Sequence, residues 1–170
     1  EGQRREKEEV LKAEFKDILP NIYFTVHELT KFETKGKHAN QRYAAKWVYR
    51  ELINKGVMDI KYTTVTSCDA DHVYHPKYFS YLTFKFLDDP AREEKFWQAA
   101  ILFYNNFWRL PALSRVANTF GSVWNMALLS RKDRMINQQN YSLSFALLHR
   151  IGYWDPQIIP EDWHIFFKAY

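Results

Sequence analysis

Hydrophobic and polar positions alternate with two different periods along the chain, and the changes between them mark out its elements. Residues 3–17 are dense in charge of both signs, with Leu11 and Phe15 at helical spacing, which predicts a solvated lead-in helix within residues 1–19. Residues 21–27 are β-branched and aromatic and predict a short strand. The polar stretch 28–37, which carries Gly36, predicts a loop. From about residue 38 to 54, Tyr43, Ala44, Trp47, Val48 and Leu52 share one helical face, and Arg42, Lys46 and Arg50 share the opposite one. Glu51 breaks that pattern, and Gly56 supplies the stop. Residues 60–67, rich in Thr and Val, predict a second strand that runs directly into Cys68-Asp69-Ala70-Asp71. Pro76 suits a helix start, residues 78–87 continue that helix, and Asp88-Asp89-Pro90 ends it. Residues 96–103 are read as a strand and residues 110–129 as a helix in two pieces around Gly121. Residues 144–151 form a further helix closed by Gly152, and Pro160-Glu161-Asp162 opens a last one. Strands alternating with helices predict an α/β layered fold over residues 20–170.

Composition narrows the class. The 170 residues fit one domain. With 46% hydrophobic and 26% charged residues, a disordered chain is excluded. Aromatic residues reach 18%, which points to large anchoring surfaces in a core, at an interface or beside a membrane. A single cysteine, Cys68, cannot form an internal disulfide, so a reducing compartment is natural. The net charge of +4 is no nucleic-acid signature by itself, and no nucleic-acid partner is expected. No run approaches the roughly 18 apolar residues of a membrane span, and no signal peptide is visible. The abrupt opening and the apolar closing run 166–170 suggest a piece of a longer protein.

Several side chains are candidates for chemistry. Asp69 and Asp71 stand one residue apart at the carboxyl end of a strand, where ligands of α/β sheets bind. Such a pair suits a hard divalent cation shared with diphosphate oxygens; it also suits a turn whose aspartate caps the next helix. Cys68, His72 and His75 flank the pair, but no second cluster with zinc-ligand spacing exists. Glu161 and Asp162 read either as dipole-favoured residues at a helix start or as a carboxylate base over a cleft. Gly36-Lys37 before a helix can bring a cation to a phosphate, although the segment is too short for a P-loop. The aromatic stretch 96–124 and the cluster Arg131-Lys132-Asp133-Arg134 read as core and solvated turn, or as a surface for anionic lipid.

The order of these features is more specific than any one of them. Gly36-Lys37 before a helix, a strand ending in Asp69-Ala70-Asp71, an aromatic strand with Gln98, then Ile151-Gly152-Tyr153-Trp154-Asp155 and Pro160-Glu161-Asp162-Trp163 follow in sequence. Over residues 20–170 this resembles the family 2 glycosyltransferases of GT-A fold, in the membrane-associated branch similar to cellulose synthase. The resemblance implies a Rossmann-related mixed sheet flanked by helices. It implies an inverting transfer of a sugar from a nucleotide-sugar to a glycan or lipid-linked acceptor, with Mg²⁺ or Mn²⁺ as cofactor. Asp69 and Asp71 would bind the metal and, with Lys37, the donor; Asp162 would be the general base; Glu161 and Trp163 would stand at the acceptor side. Two departures accompany it. No Pro-x-x-Asn-Glu-like turn precedes Asn21, so the first nucleotide-binding strand is expected to be missing, and no Q-x-x-R-W motif follows Asp162. The expected setting is the cytoplasmic face of a membrane, reached through other parts of a longer protein.

Two other classes compete. Asp69, Asp71 and Val73 match the D-x-D-x-[TV] pattern of haloacid-dehalogenase phosphatases, though far from the chain start where that motif normally lies. A non-catalytic binding module is the remaining alternative.

Overall fold

The structure, a computed structural model, describes residues 2–131, 133 and 139–170. Lys132 and Arg134 of the basic cluster lie outside the described residues. The chain is mixed α and β, as expected, with helices packed around a small sheet. Six α-helices appear among the described residues: α1 (Gly2–Phe15), α2 (Lys37–Val48), α3 (Tyr78–Asp88), α4 (Ala112–Ser130), α5 (Phe145–Arg150) and α6 (Glu161–Ala169). Among the described residues three short strands, β1 (Thr64–Thr66), β2 (Phe96–Gln98) and β3 (Tyr141–Ser144), form one sheet in the order β1-β3-β2. Both neighbours run antiparallel to β3, with Val65 opposite Leu143 on one side and Phe96 opposite Leu143 on the other.

This sheet departs from the expected one in several ways. Residues 21–27 form no strand despite their β-branched composition. Instead Tyr23 tilts against Trp47 of α2 and His27 stacks on Tyr43 at 4.7 Å, so side-chain packing on a helix takes the place of a ladder. The second strand shrinks to β1 because Ile60–Tyr62 winds into a 3₁₀ turn, with the Asp59 carboxylate accepting from the Lys61 N–H. Only Phe96–Gln98 of the aromatic stretch is strand. The helix α4 runs unbroken through Gly121, where an added Cβ would meet the Phe103 ring at 3.3 Å. Among the described residues the strand before Asp69 is an edge strand; the centre is β3, whose Tyr141, Ser142 and Leu143 received no assignment from the sequence and whose Ser144 was read as the start of a helix.

The four residues of β3 are all buried, and their alternation explains their place. Tyr141 and Leu143 enter the main core with Phe145, Leu148, Trp154 and Ile165. Ser142 and Ser144 are hydroxyl-bearing, and each buried hydroxyl is satisfied. Ser142 Oγ lies 2.8 Å from both Thr66 Oγ1 and Tyr78 Oη. Ser144 Oγ accepts the Ala146 N–H at 3.2 Å, capping α5. A strand buried on both faces thus needs no charged residue and no apolar run. After α5 the chain turns at Gly152, whose φ of +77° is the left-handed conformation that suits glycine.

Candidate functional site

The loops that hold the candidate residues are tied to one another by backbone groups. The Arg42 guanidinium of α2 donates to the carbonyls of Gly152 at 3.2 Å and Trp154 at 2.8 Å. The Thr34 N–H reaches the Pro156 carbonyl at 2.9 Å, and the Gln157 amide donates to the Phe32 carbonyl at 3.0 Å. These bonds clamp the segment before α2 onto the loop before α6. They bring the Gly36-Lys37 step and the Pro160-Glu161-Asp162 step, more than a hundred residues apart in sequence, to one place. Gly36 fits because an added Cβ would lie 2.5 Å from the ring of buried His38.

Lys37 lies at the centre of the result. Its ammonium pairs with the Asp69 carboxylate and stands 4.0 Å from Glu161 Oε1. Asp162, next to Glu161 in the first turn of α6, is 9% exposed. Burial pushes its carboxyl up to about 6, the negative charges of Glu161 and Asp69 push the same way, and Lys37 opposes them. Three carboxylates and one lysine from three distant segments therefore form one electrostatic unit. The Tyr141 hydroxyl is held above the usual phenol range, first by burial and then by the charges of Asp162 and Glu161, although it accepts the Trp154 indole N–H at 2.7 Å.

Asp69 is also held from the far side. Its N–H donates to Asn140 Oδ1 at 2.7 Å, and Asn140 has a φ of +61°, a conformation asparagine tolerates better than most residues. Asp69, Asp71, His72, Gln139 and Asn140 line a cleft of about 400 Å³ whose opposite wall includes residues 101–106. Asp71 is exposed in this cleft, Asp162 does not line it, and Trp163 is exposed on α6. A second, larger groove of about 820 Å³ runs along β1 and the apolar side of α2.

The structure thus joins Lys37, Asp69, Glu161 and Asp162, and sets Asp71 beside Asp69 at the cleft. Among the described residues no group of three His, Cys, Asp or Glu side chains is placed to hold a metal by itself. The donors at the cleft are hard carboxylate oxygens, which suit Mg²⁺ or Mn²⁺ when a phosphate completes the shell. Among the described residues, Cys68, His72 and His75 are not grouped with them as metal ligands. Asn140 and Arg42 escaped pattern reading. The end of the polar run Asn137-Gln138-Gln139-Asn140, just before a strand of alternating bulky and small side chains, was the only signal for Asn140. Arg42 read as a solvent-facing helix residue.

Comparison with known proteins found no matching family model, no matching curated protein and no matching solved structure.

Proposed function

We propose that this chain carries the catalytic centre of an inverting, metal-dependent glycosyltransferase that moves a sugar from a nucleotide-sugar to an acceptor hydroxyl. The observation that carries the reading is the meeting of Lys37, Asp69, Glu161 and Asp162 from separate segments around one buried carboxyl. Asp69 and Asp71 would hold Mg²⁺ or Mn²⁺, which supplies charge neutralisation to a leaving diphosphate. Lys37 adds a second cation for the same oxygens. Asp162 takes the acceptor proton as the acceptor oxygen bonds to the anomeric carbon and the bond to the diphosphate breaks. A carboxyl titrating near 6 is better matched to that role at neutral pH than an ordinary aspartate. Glu161 and Trp163 flank the acceptor side, with a glycan or a lipid-linked sugar as the class of acceptor.

The finer fold belongs to the same proposal: a GT-A-like domain whose first nucleotide-binding strand lies outside these residues. In its favour, β3 covers one edge of β1, and the other edge borders the groove of about 820 Å³. That groove is where a further strand would lie. Attachment to the cytoplasmic face of a membrane through other parts of a longer protein is part of the proposal.

Transfer from radiolabelled nucleotide-sugars in Mn²⁺, measured on the full-length protein, tests the reading. Asp162→Asn should lower turnover by roughly 10²–10⁴-fold, the usual share of a general base. An unchanged rate removes Asp162 from the mechanism. The 170-residue chain alone should bind UDP more weakly than low micromolar in calorimetry, because the base pocket is incomplete. Tighter binding overturns the account of the missing strand.

A further inference from the structure

The helix α4 is built inside out. Its inward side carries Asn118, Ser122 and Asn125, of which Ser122 and Asn125 are buried. Ser122 Oγ accepts the Phe103 N–H at 3.0 Å and donates to the Asn118 carbonyl at 2.8 Å, so the contact with the protein is made by small polar groups. The opposite side carries Leu113, Val116, Phe120, Val123 and Trp124, all exposed, with Phe120 at 73%. In a water-facing helix the two sides are reversed. The preceding turn adds Trp108, which is 83% exposed.

Charge along this stretch of chain is of one sign. Between Lys95 and Arg131 the only charged residues are Arg109 and Arg115, and there is no carboxylate. Neither guanidinium has an ion-pair partner among the described residues. Arg115 borders a hollow formed by Phe107, Val116, Phe120 and Val123. At 19 residues α4 is about 28 Å long, and no helix among the described residues is long and apolar enough to cross a membrane. An apolar stripe with exposed tryptophans, cations beside it and no acid in the same stretch of chain is the pattern of a helix lying in a lipid interface.

We propose that the outer face of α4, together with the Phe107–Arg109 turn, seats on an anionic lipid bilayer. Phe120, Val116 and Trp124 enter the acyl boundary. Arg109 and Arg115 remain at the level of the headgroup phosphates and carboxylates. This surface belongs to the chain itself, in addition to any anchor elsewhere, and it stands whatever reaction the carboxylate cluster serves.

Flotation of the 170-residue chain with vesicles of phosphatidylcholine and phosphatidylserine (7:3) tests it, with pure phosphatidylcholine vesicles as the comparison. The chain should float with the mixed vesicles, with its tryptophan emission shifted to the blue, and should float less with the neutral ones. Phe120→Asp should lower partitioning about 10-fold or more while the far-ultraviolet circular dichroism is unchanged. Arg109→Gln with Arg115→Gln should remove most of the preference for anionic lipid, about 5-fold for each arginine. Failure of the wild-type chain to float overturns the proposal, and so does flotation of folded Phe120→Asp at the wild-type level. Sedimentation showing a dimer that Phe120→Asp dissociates, with no lipid binding, would assign the face to a second copy instead and also overturn it.

Discussion

Replacing Asp162 by asparagine should make the folded chain more stable at neutral pH. Its carboxyl titrates at about 6 in the fold against 3.8 ordinarily, because it is buried beside Glu161 and within the field of Asp69. A raised carboxylate binds its proton more tightly folded than unfolded. The ionised form therefore costs the fold at most about 3 kcal/mol, and residual contact with water trims this to about 2. The cost is absent well below pH 3.8, grows as pH rises from 3.8 to about 6, and is complete above that. Asparagine keeps the shape and removes the charge. Asp162→Asn should gain about 2 kcal/mol at pH 8, or roughly 4–8 °C in Tm for a chain of this size. At pH 4.5 the gain should fall below about 1 kcal/mol. Urea unfolding of both proteins at the two pH values measures this directly. Equal stability at pH 8, or a difference independent of pH, refutes the electrostatic account of the cluster. A variant that is firmer and yet inactive is what a functional carboxylate held against its own preference produces.

Other consequences are local. Lys37→Met removes the cation that draws the Asp162 carboxyl down, so its titration midpoint should move above about 6; a carbon-detected NMR titration finding it unmoved or lower would contradict the pairing. Asn140→Ala should cost about 2 kcal/mol, for the left-handed backbone and the lost bond to the Asp69 N–H together. Asn140→Gly, which spares the backbone, should cost about 1, and an alanine tolerated better than glycine would remove the backbone argument. Trp154→Phe and Tyr141→Phe should show a coupling of about 1 kcal/mol in a double-mutant cycle, since the 2.7 Å bond between them is buried; additive effects would show that it contributes nothing.

The helices were largely legible in the sequence, and the sheet was not. The stripe of Tyr43, Ala44, Trp47 and Val48 places α2, and Pro160 with two acids places α6, because helical periodicity and end signals act within a few residues. The strands are three or four residues long, too short for period-two alternation to stand out. Residues 21–27 have strand-forming composition, but their aromatics find a helix to pack on. β3 is the reverse case: its serines give no strand signal until their hydroxyls are seen bonded to Thr66, Tyr78 and the α5 amide. For the site, Asp69, Asp71, Lys37, Glu161 and Asp162 were named from their order along the chain. Their convergence around one lysine was not legible, because it depends on the clamp from Arg42 and on Asn140.

The middle strand of the sheet comes last in the chain. β1 is complete by residue 66 and β2 by residue 98, yet among the described residues both pair only with β3, at residues 141–144. A chain emerging from the ribosome therefore carries two unsatisfied strands for some 75 and 45 residues, respectively, before their common partner exists. Local helices such as α2, α3 and α4 can form meanwhile, but the sheet must wait for contacts of high sequence separation, which slow folding. The carboxylate cluster waits longer still, since Glu161 and Asp162 follow β3 and the residue that holds Asp69 immediately precedes it. Assembly of the candidate site thus follows that of the sheet, and a chain that stalled before residue 140 would carry helices, unpaired strands and no site.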